Sequence, residues 1–305
     1  MGAHIGNIGV MAPTCADDIA ILGTSGELQA LIDIVEHCTK RDFVKINPSK
    51  SDLVPLMKTD HNIKLHLGND EIIQKEETKH LGIKRNCVNV VNIEERLQTA
   101  RKTVYALLGP GLHARRGVSP LIAGKIWKTY VIPRSLYGIE VLNYSQTDIE
   151  KMEKLQIKIC RQIQGLPQRT AKVAVYILIG MEPIEAVVDR LVLTFAINIL
   201  QDKNSLEFRI IERQLGMAKS SGQVFICKVV KLLKKYGLPE IEHLIENTPG
   251  KLKWKKLLKK HIGNFWENTW KEEIQTKPTL KNLNMHCNPL RKPHQVWKSN
   301  EIFTK

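Results

Sequence analysis

The chain has 305 residues, of which 43% are apolar, so it is long enough to bury one large hydrophobic core or two smaller ones. Its 46 Lys and Arg outnumber its 31 Asp and Glu, and the formal net charge of +15 favours a polyanionic partner. The longest apolar stretch, residues 191–200, is too short to span a bilayer, and the first residues lack the pattern of a secretory signal. We therefore expect an intracellular protein of the nucleus or cytoplasm, not a secreted or membrane-spanning one.

The six cysteines are far apart in the sequence and form no C-x-x-C pair. This pattern lacks the spacing of a disulfide framework and that of a zinc ribbon. His286, Cys287 and His294 match no standard zinc spacing either. The cysteines therefore favour a reducing compartment.

The charge is unevenly distributed along the chain. Residues 1–83 carry 8 Lys or Arg and 12 Asp or Glu, whereas residues 84–305 carry 38 and 19. The acidic N-terminal part suits metal binding. The basic C-terminal part suits nucleic-acid binding, because cationic side chains release the counterions that surround phosphates. The alternative for the basic part is a set of solvated helix faces with no partner.

Residues 12–23 place two adjacent carboxylates, Asp17 and Asp18, between two short apolar runs. The pattern predicts a strand, a tight turn and a second strand, with residues 4–11 as the end of the strand that enters this hairpin. Neighbouring strand residues point to opposite faces, so at least one of the two carboxylates is expected at the hairpin tip. Carboxylate oxygens are the ligands that Mg2+ prefers. The alternative is an ordinary Asp-Asp β-turn.

A helix is predicted after this hairpin. Thr24 and Glu27 have the spacing of a capping box, which marks a helix N-terminus. Apolar residues then recur with a helical period as far as Lys40 and form one stripe: Leu28, Leu31, Ile32 and Val35. We expect this stripe to pack into a core.

Residues 43–56 predict an extended segment that is broken at residues 47–49. Lys50 follows this break, and without further context it is an ordinary surface lysine. Residues 63–74 have the alternation and central turn of a hairpin, and residues 78–83 predict a short strand.

From Asn92 onward the sequence predicts helices. Their expected bounds are residues 93–108, 120–130, 147–163, 184–200, 224–236 and a basic helix that includes residues 251–260. Thr147 and Glu150 have the spacing of a capping box for the third of these. On the helices over 93–108 and 147–163, one face is apolar and basic residues lie on the other: Arg96, Arg101, Lys102, Lys151, Lys154, Lys158 and Arg161.

Two groups of basic residues are candidates for contact with a phosphate backbone. The first surrounds the helix over 120–130 and contains Arg115, Arg116, Lys125 and Lys128. The second is on the basic helix and contains Lys253, Lys255 and Lys256. The second group has two alternatives, binding to an acidic membrane surface or a solvated face over an apolar stripe, and we expect the tryptophans nearby to anchor helix packing.

Three motifs occur in order: Ala16-Asp17-Asp18, Asn47-Pro48-Ser49-Lys50 and His80-Leu81-Gly82. Together they resemble the later palm motifs of reverse transcriptases from non-LTR retrotransposons. The resemblance implies an α+β chain that begins within the palm. Its implied parts are the C-terminal part of the palm (1–85), a helical thumb (86–170), a basic helical extension (171–275) and a loop-rich tail (276–305).

The resemblance also implies roles for individual residues. Asp17 would be the main carboxylate for Mg2+ or Mn2+, Asp18 its weaker companion, and Lys50 would assist the leaving pyrophosphate. His80 and Gly82 would belong to the segment that grips the primer. The implied partners are an RNA template, a DNA primer and deoxynucleotides.

In the resembled family, the fingers and another metal-binding aspartate of the palm lie upstream of these motifs. We therefore expect a fragment of a polymerase, with no polymerase activity by itself. The alternatives are a non-catalytic nucleic-acid-binding remnant of a dead element and a degraded helical scaffold.

Overall fold

The structure is a computed structural model that describes residues 2–57, 63–87, 92–108, 118–217, 224–280 and 292–297. It combines small sheets with many helices, in agreement with the predicted α+β class. The chain forms two compact units, which are described separately: unit 1 is Met1–Asn89 with Leu206–Arg213, and unit 2 is Val90–Ser205 with Gln214–Lys305. Across the described ranges, no helix is both long and apolar enough to cross a membrane.

The described part of unit 1 consists of short strands, one long helix and a helical segment at residues 206–213. The helix α1 spans Ser25–Arg41, and a 3-10 turn at Pro48–Lys50 follows it. In the described part, β5 pairs with β7 in parallel and the other strand pairs, β1–β2, β3–β4, β6–β7 and β8–β9, are antiparallel. The strands are β1 (His4–Ile5), β2 (Ile8–Gly9), β3 (Thr14–Cys15), β4 (Asp18–Ile19), β5 (Asp52–Leu53), β6 (Leu65–Leu67), β7 (Asp70–Gln74), β8 (Glu77–His80) and β9 (Ile83–Asn86).

The core of unit 1 lies between α1 and the β6–β7 hairpin. Ile32 of α1 packs against three buried residues of this hairpin: Leu65, Leu67 and Ile72. The Gln29 side chain exchanges two hydrogen bonds of 2.9 Å with the backbone N–H and C=O of His66. The predicted apolar stripe of α1 and the predicted hairpin are therefore confirmed, and the two pack on each other.

Two segments that were predicted as single strands are hairpins. Residues 4–11 form β1 and β2 with Gly6 (φ 66°) between them. Residues 78–83 lie in β8 and β9, where the two turn residues Leu81 (φ 50°) and Gly82 (φ 76°) both have positive φ. Two consecutive positive φ values are typical of the two-residue hairpin turn that matches the twist of the strands. The strand predictions were wrong because they missed these turns.

Unit 2 is helical. A 3-10 turn at Ile139–Val141 precedes α5, and further 3-10 turns lie at Pro278–Leu280 and Gln295–Trp297. Of α8, residues 206–213 belong to unit 1. The helices from α2 onward are α2 (Ile93–Leu108), α3 (Pro120–Ile126), α4 (Ile132–Ser135), α5 (Gln146–Gln164), α6 (Lys172–Ile179), α7 (Ile184–Leu200), α8 (Leu206–Met217), α9 (Phe225–Lys235), α10 (Ile241–Glu246) and α11 (Lys251–Thr276).

Helices α2 and α5 contact each other through the apolar faces that the sequence predicts. The bounds of α2 agree with the prediction, and those of α5 agree within one residue. Both faces are buried: Leu97, Ala100 and Val104 on α2, and Ile149, Met152, Leu155, Ile159 and Ile163 on α5. Five of the predicted basic residues are exposed on the outer faces: Arg101, Lys102, Lys151, Lys154 and Lys158. The prediction was wrong for Arg96 and Arg161, which are half-buried and donate to the carbonyls of Ser135 and Thr170.

The N-terminus of α5 is closed by a different capping box from the predicted one. The Ser145 hydroxyl accepts a 3.2 Å bond from the Asp148 N–H, and the Asp148 carboxylate accepts a 2.9 Å bond from the Ser145 N–H. The prediction that Thr147 and Glu150 form the capping box was wrong. Ser145 and Asp148 have the same spacing two residues earlier and form it instead. Gly165, in the left-handed region at φ 64°, ends the helix as predicted.

Residues 120–135 form one helical run that contains a π turn. Ser119 caps the run and Pro120 is its first residue, as predicted. The π turn at Trp127–Val131 separates α3 from α4, so the run passes Tyr130, where the sequence predicted its end. Pro133 lacks an N–H and its ring clashes with the preceding turn of a regular helix. The wider π turn before it relieves that conflict.

Helix α7 is the centre of unit 2 and is mostly buried, as predicted. It contacts α5, α9, α10 and α11. The inner face of α11 carries Trp254, whose indole N–H donates to the Leu193 carbonyl at 3.1 Å, and Trp270, whose ring stacks on Tyr176. These two tryptophans anchor helix packing, in agreement with the prediction.

The described end of the predicted tail docks against the C-terminus of α6. The His294 N–H donates to the Leu178 carbonyl at 2.9 Å. Gly180, at φ 64°, lies so close to this segment that a Cβ there would stand 2.4 Å from the carbonyl carbon of Lys292. The position therefore needs a glycine for its backbone conformation and for the close approach.

Candidate functional site

The β3–β4 hairpin carries the two candidate metal-binding carboxylates. Cys15 pairs with Asp18, which leaves Ala16 and Asp17 as the turn residues. Ala16 has a φ of 54°, in the left-handed region. Asp17 and Asp18 are both exposed, so the predicted strand, turn and strand are confirmed and both carboxylates face solvent.

These two carboxylates do not by themselves fit a two-metal centre. Two divalent cations carry four positive charges, and each prefers a nearly complete shell of oxygen ligands at fixed geometry. Among the described residues, no group of three or more His, Cys, Asp or Glu is close enough to hold a metal ion. Any metal held by Asp17 and Asp18 would need oxygen ligands from elsewhere.

Lys50 is the exposed last residue of the 3-10 turn Pro48–Lys50. The Asn47 side chain accepts a 3.1 Å bond from the Ser49 N–H and fixes this turn, which contacts β7. No carboxylate in the described part of the chain forms an ion pair with Lys50. Its ammonium is therefore available to an anion from outside the chain.

His80 and Gly82 lie at the tip of the β8–β9 hairpin. His80 is half-buried at the end of β8, and its Nε2 is enclosed with no hydrogen-bond partner among the described residues. Gly82 is the second turn residue. Their assignment to a primer-gripping segment stays a prediction.

The basic residues predicted around α3 have different environments. Lys125 is exposed, whereas Lys128 is half-buried and its ammonium donates to the Gly180 carbonyl. Lys128 therefore holds α3 and its π turn to the end of α6. Arg115 and Arg116 lie outside the described residues.

The lysines predicted on α11 are on its outer face. Lys253, Lys255 and Lys256 are exposed, while the apolar side of the same helix is buried against α6 and α7. This arrangement agrees with two of the alternatives left by the sequence, nucleic-acid binding and a solvated face over an apolar stripe.

A groove runs along the interface between α2 and α5, and we call it the α2–α5 groove. Its volume is about 360 Å³. It is lined by Glu94, Leu97, Arg101, Tyr105, Lys151, Lys154, Leu155, Lys158 and Ile159. The sequence predicted that the basic residues of the groove lie on outer helix faces, but not that they line one groove. It did not indicate Tyr105 as a candidate, because one exposed tyrosine on a helix is ordinary.

A buried hydrogen-bond network fixes α5 against its neighbours. The Trp127 indole donates to the Gln156 carbonyl oxygen at 2.9 Å, and the Gln156 amide donates to the Glu182 backbone at 2.8 Å. Tyr176 donates to Glu153 at 2.6 Å. Since these side chains are enclosed and mutually bonded, the network holds the scaffold that carries the groove.

A second polar cluster lies between α7 and α9. The Lys235 ammonium is 2.7 Å from Asp189 and 2.6 Å from Glu185. Burial raises the pKa of Asp189 despite this ion pair. The Lys228 ammonium lies 3.6 Å from the centre of the Tyr144 ring, and burial lowers the pKa of Lys228 to about 8. Both lysines are inside the fold and belong to its packing.

The exposed candidate features of the described residues are the hairpin with two carboxylates and the turn that carries Lys50 in unit 1, and the basic groove and the outer face of α11 in unit 2. No family model, curated protein or solved structure matches this chain.

Proposed function

We propose that this chain is part of a reverse transcriptase from a non-LTR retrotransposon and that, by itself, it binds nucleic acid without polymerising it. In the intact protein the activity would be RNA-templated DNA synthesis, with Mg2+ or Mn2+ as cofactor. The partners would be an RNA template, a DNA primer and deoxynucleotides.

The observation that carries nucleic-acid binding is the basic outer surface of unit 2. Lys151, Lys154 and Lys158 are exposed along one side of α5, and Lys253, Lys255 and Lys256 are exposed on α11. Lys151 has a carboxylate partner, Glu94, at 3.2 Å. Within the described residues the other five have none, so their charges are available to phosphates.

The palm assignment is supported by the exposed hairpin of Asp17 and Asp18, which is the geometry that the first of the three motifs requires. A second candidate function is the non-catalytic remnant of a dead element. It is favoured by the lack of a third metal ligand near these carboxylates in the described residues. Both candidates predict nucleic-acid binding, and they differ in whether Asp17 has a role once the remaining ligands are supplied.

Binding is tested by fluorescence anisotropy with labelled single-stranded RNA and an RNA–DNA duplex. We expect the logarithm of the affinity to fall linearly with the logarithm of salt concentration, with a slope of about −0.7 per phosphate bound on a single strand. Absence of binding at low salt, or a flat salt response, would contradict the proposal.

Catalysis is tested by primer extension on a poly-A template with Mg2+ or Mn2+. We expect no product from this chain alone. DNA product that the wild-type chain forms and the Asp17→Asn variant does not would contradict this expectation and show a working catalytic centre. To separate the two candidate functions, the chain is mixed with the fingers and upstream palm of an intact relative. Primer extension that is restored and depends on Asp17 supports the palm assignment. Absence of extension supports the remnant.

A further inference from the structure

The floor of the α2–α5 groove is apolar and its rim is charged. Leu97, Leu155 and Ile159 are buried beneath it, with exposed fractions of 4%, 9% and 2%. The lining residues of α2 extend from Glu94 to Tyr105, about 16 Å along the helix axis at 1.5 Å per residue. Four to five stacked nucleotides, at about 3.4 Å each, match this length.

The charge of the rim is strongly positive. Four basic side chains line the groove against one carboxylate, Glu94, which already pairs with Lys151 at 3.2 Å. Arg101, Lys154 and Lys158 form no ion pair with any carboxylate of the described residues. They are spaced along both walls, so an anion that follows the groove meets several of them in turn.

An aromatic ring completes the lining. Tyr105 is 54% exposed, although it stands on the same helix face as the buried Leu97. A large aromatic side chain left in solvent beside unpaired cations is the combination that proteins use to stack bases while holding phosphates. A single exposed tyrosine is ordinary on a solvated helix, but this ring lines the same groove as Arg101, Lys154 and Lys158.

We propose that the α2–α5 groove binds single-stranded nucleic acid, with a base stacked on Tyr105 and phosphates bound by Arg101, Lys154 and Lys158. This inference rests on the proposed nucleic-acid binding and specifies where and in what form the strand binds. The described lining of the groove presents no set of buried donors or acceptors that could read base edges, so we expect little preference for base sequence.

A single strand fits the groove better than a duplex. In a duplex the base faces are covered by their neighbours, so Tyr105 would find no ring to stack on. The groove lies between α2 and α5, two helices that pack on each other. An acidic peptide would satisfy the charges but leave the ring unused.

The test measures the affinity of the whole chain for labelled oligo(dA) and for a hairpin duplex, with Tyr105→Ala and Tyr105→Phe. We expect Tyr105→Ala to weaken single-strand binding by about 5- to 150-fold, the range for loss of one stacked base. Tyr105→Phe keeps the ring and is expected to bind like the wild type. Tyr130→Ala, at a tyrosine that is 63% exposed outside the groove, is the matched control.

A second pair of variants tests the binding of phosphates. Lys154→Ala with Lys158→Ala is expected to reduce the salt slope by about 1.4, at about 0.7 for each phosphate that is no longer bound. Lys231→Ala with Lys234→Ala removes the same charge from exposed positions of α9 and is expected to leave the slope unchanged. Tyr105→Ala is expected to weaken binding without changing the slope, because stacking releases no counterion.

The outcomes separate this inference from the proposed function. If the wild type binds neither oligonucleotide, the proposed function fails. If it binds but Tyr105→Ala equals Tyr130→Ala, or the duplex binds more tightly than the single strand, the groove inference fails and the proposed function stands. Displacement of labelled oligo(dA) by polyglutamate at a lower concentration than unlabelled oligo(dA) requires would assign the groove to an acidic protein and overturn the inference.

Discussion

The hydroxyl of Tyr176 on α6 donates a 2.6 Å hydrogen bond to the carboxylate of Glu153 on α5, inside unit 2. Glu153 also accepts a 2.7 Å bond from the Ile184 N–H, and the Lys172 ammonium lies 3.1 Å away. Burial, and then the nearby carboxylate, raise the pKa of Tyr176 well above its usual value, so the phenol stays a donor at all ordinary pH values. One carboxylate therefore joins α5, α6 and the start of α7.

Replacing Tyr176 by Phe removes the donor and leaves a buried carboxylate oxygen with one partner fewer. We expect the free energy of unfolding to fall by about 1.5–3 kcal/mol, the range for a hydrogen bond to a charged group. Urea denaturation measures this change. Tyr130→Phe, at an exposed site, is the control and is expected to change stability by less than about 0.5 kcal/mol. Equal stability of the two variants would show that the bond contributes nothing.

The capping box of α5 gives a direct comparison between two neighbouring residues. Ser145→Ala removes the hydroxyl that accepts the Asp148 N–H, and we expect it to lower the free energy of unfolding by about 1 kcal/mol. Thr147→Ala, at the position that the sequence pattern favoured, is expected to have little effect. Thermal and urea melts check both variants, and a larger effect at Thr147 would refute the capping assignment.

Two glycines of unit 2 are expected to respond to alanine in opposite directions. Gly180→Ala introduces a Cβ against the backbone of Lys292 and forces a left-handed conformation on alanine, so we expect a loss of about 1–2 kcal/mol or more. Faster hydrogen exchange of the His294 N–H, which bonds to Leu178, would report release of the docked segment.

Gly263, within α11, is the control for this substitution because a Cβ there meets no atom within 4 Å. Gly263→Ala is expected to raise stability by about 0.5–1 kcal/mol through helix propensity. Destabilisation by both substitutions would mean that the close approach at Gly180 is not the cause.

Lys228 makes stability depend on pH in the alkaline range. Burial lowers its pKa from the usual 10.5 to about 8. Between these two values the unfolded chain binds more protons at this position than the folded one, so the free energy of unfolding rises with pH there. Below about pH 8 both states are protonated and the cost of burying the charge is fully present.

Lys228→Met removes this titration and keeps a side chain that packs on the Tyr144 ring. We expect the variant to be more stable than the wild type at about pH 7, and this advantage to shrink towards about pH 10 as the wild-type lysine loses its proton. Urea denaturation at the two pH values measures the difference. Lys231→Met, at an exposed neighbour, is expected to show no such trend.

Several helices were predictable from the periodicity of their apolar residues, whereas α6, α8 and α10 were not predicted. α2 and α7 have the predicted bounds because their periodicity ends at turn-forming residues on both sides. The cap of α5 was misplaced because Ser145 and Thr147 both have an acidic residue three positions later, and only backbone geometry decides between them. The π turn in residues 120–135 was missed, since it follows from the fit around Pro133 and leaves no periodic signal.

The strand-rich part was less predictable. Short hairpins such as β8–β9 depend on turn residues that accept positive φ, and Leu81 is not a residue type that indicates such a turn. Of the candidate sites, the exposed carboxylates of Asp17 and Asp18 follow from local sequence, because one short hairpin carries both. The α2–α5 groove does not, since Tyr105 and Lys158 meet only through packing of helices that are separated by another helical run.

The packing of α11 on α7 joins residues far apart in the chain and delays completion of the fold during synthesis. The indole of Trp254 reaches the carbonyl of Leu193 across 61 positions. A ribosome that adds about 5–20 residues per second leaves α7 without its cover for several seconds. The face of α7 that α11 covers is open to water and to other nascent chains during that interval. Yield in a cell is therefore expected to improve at lower growth temperature or with additional chaperones.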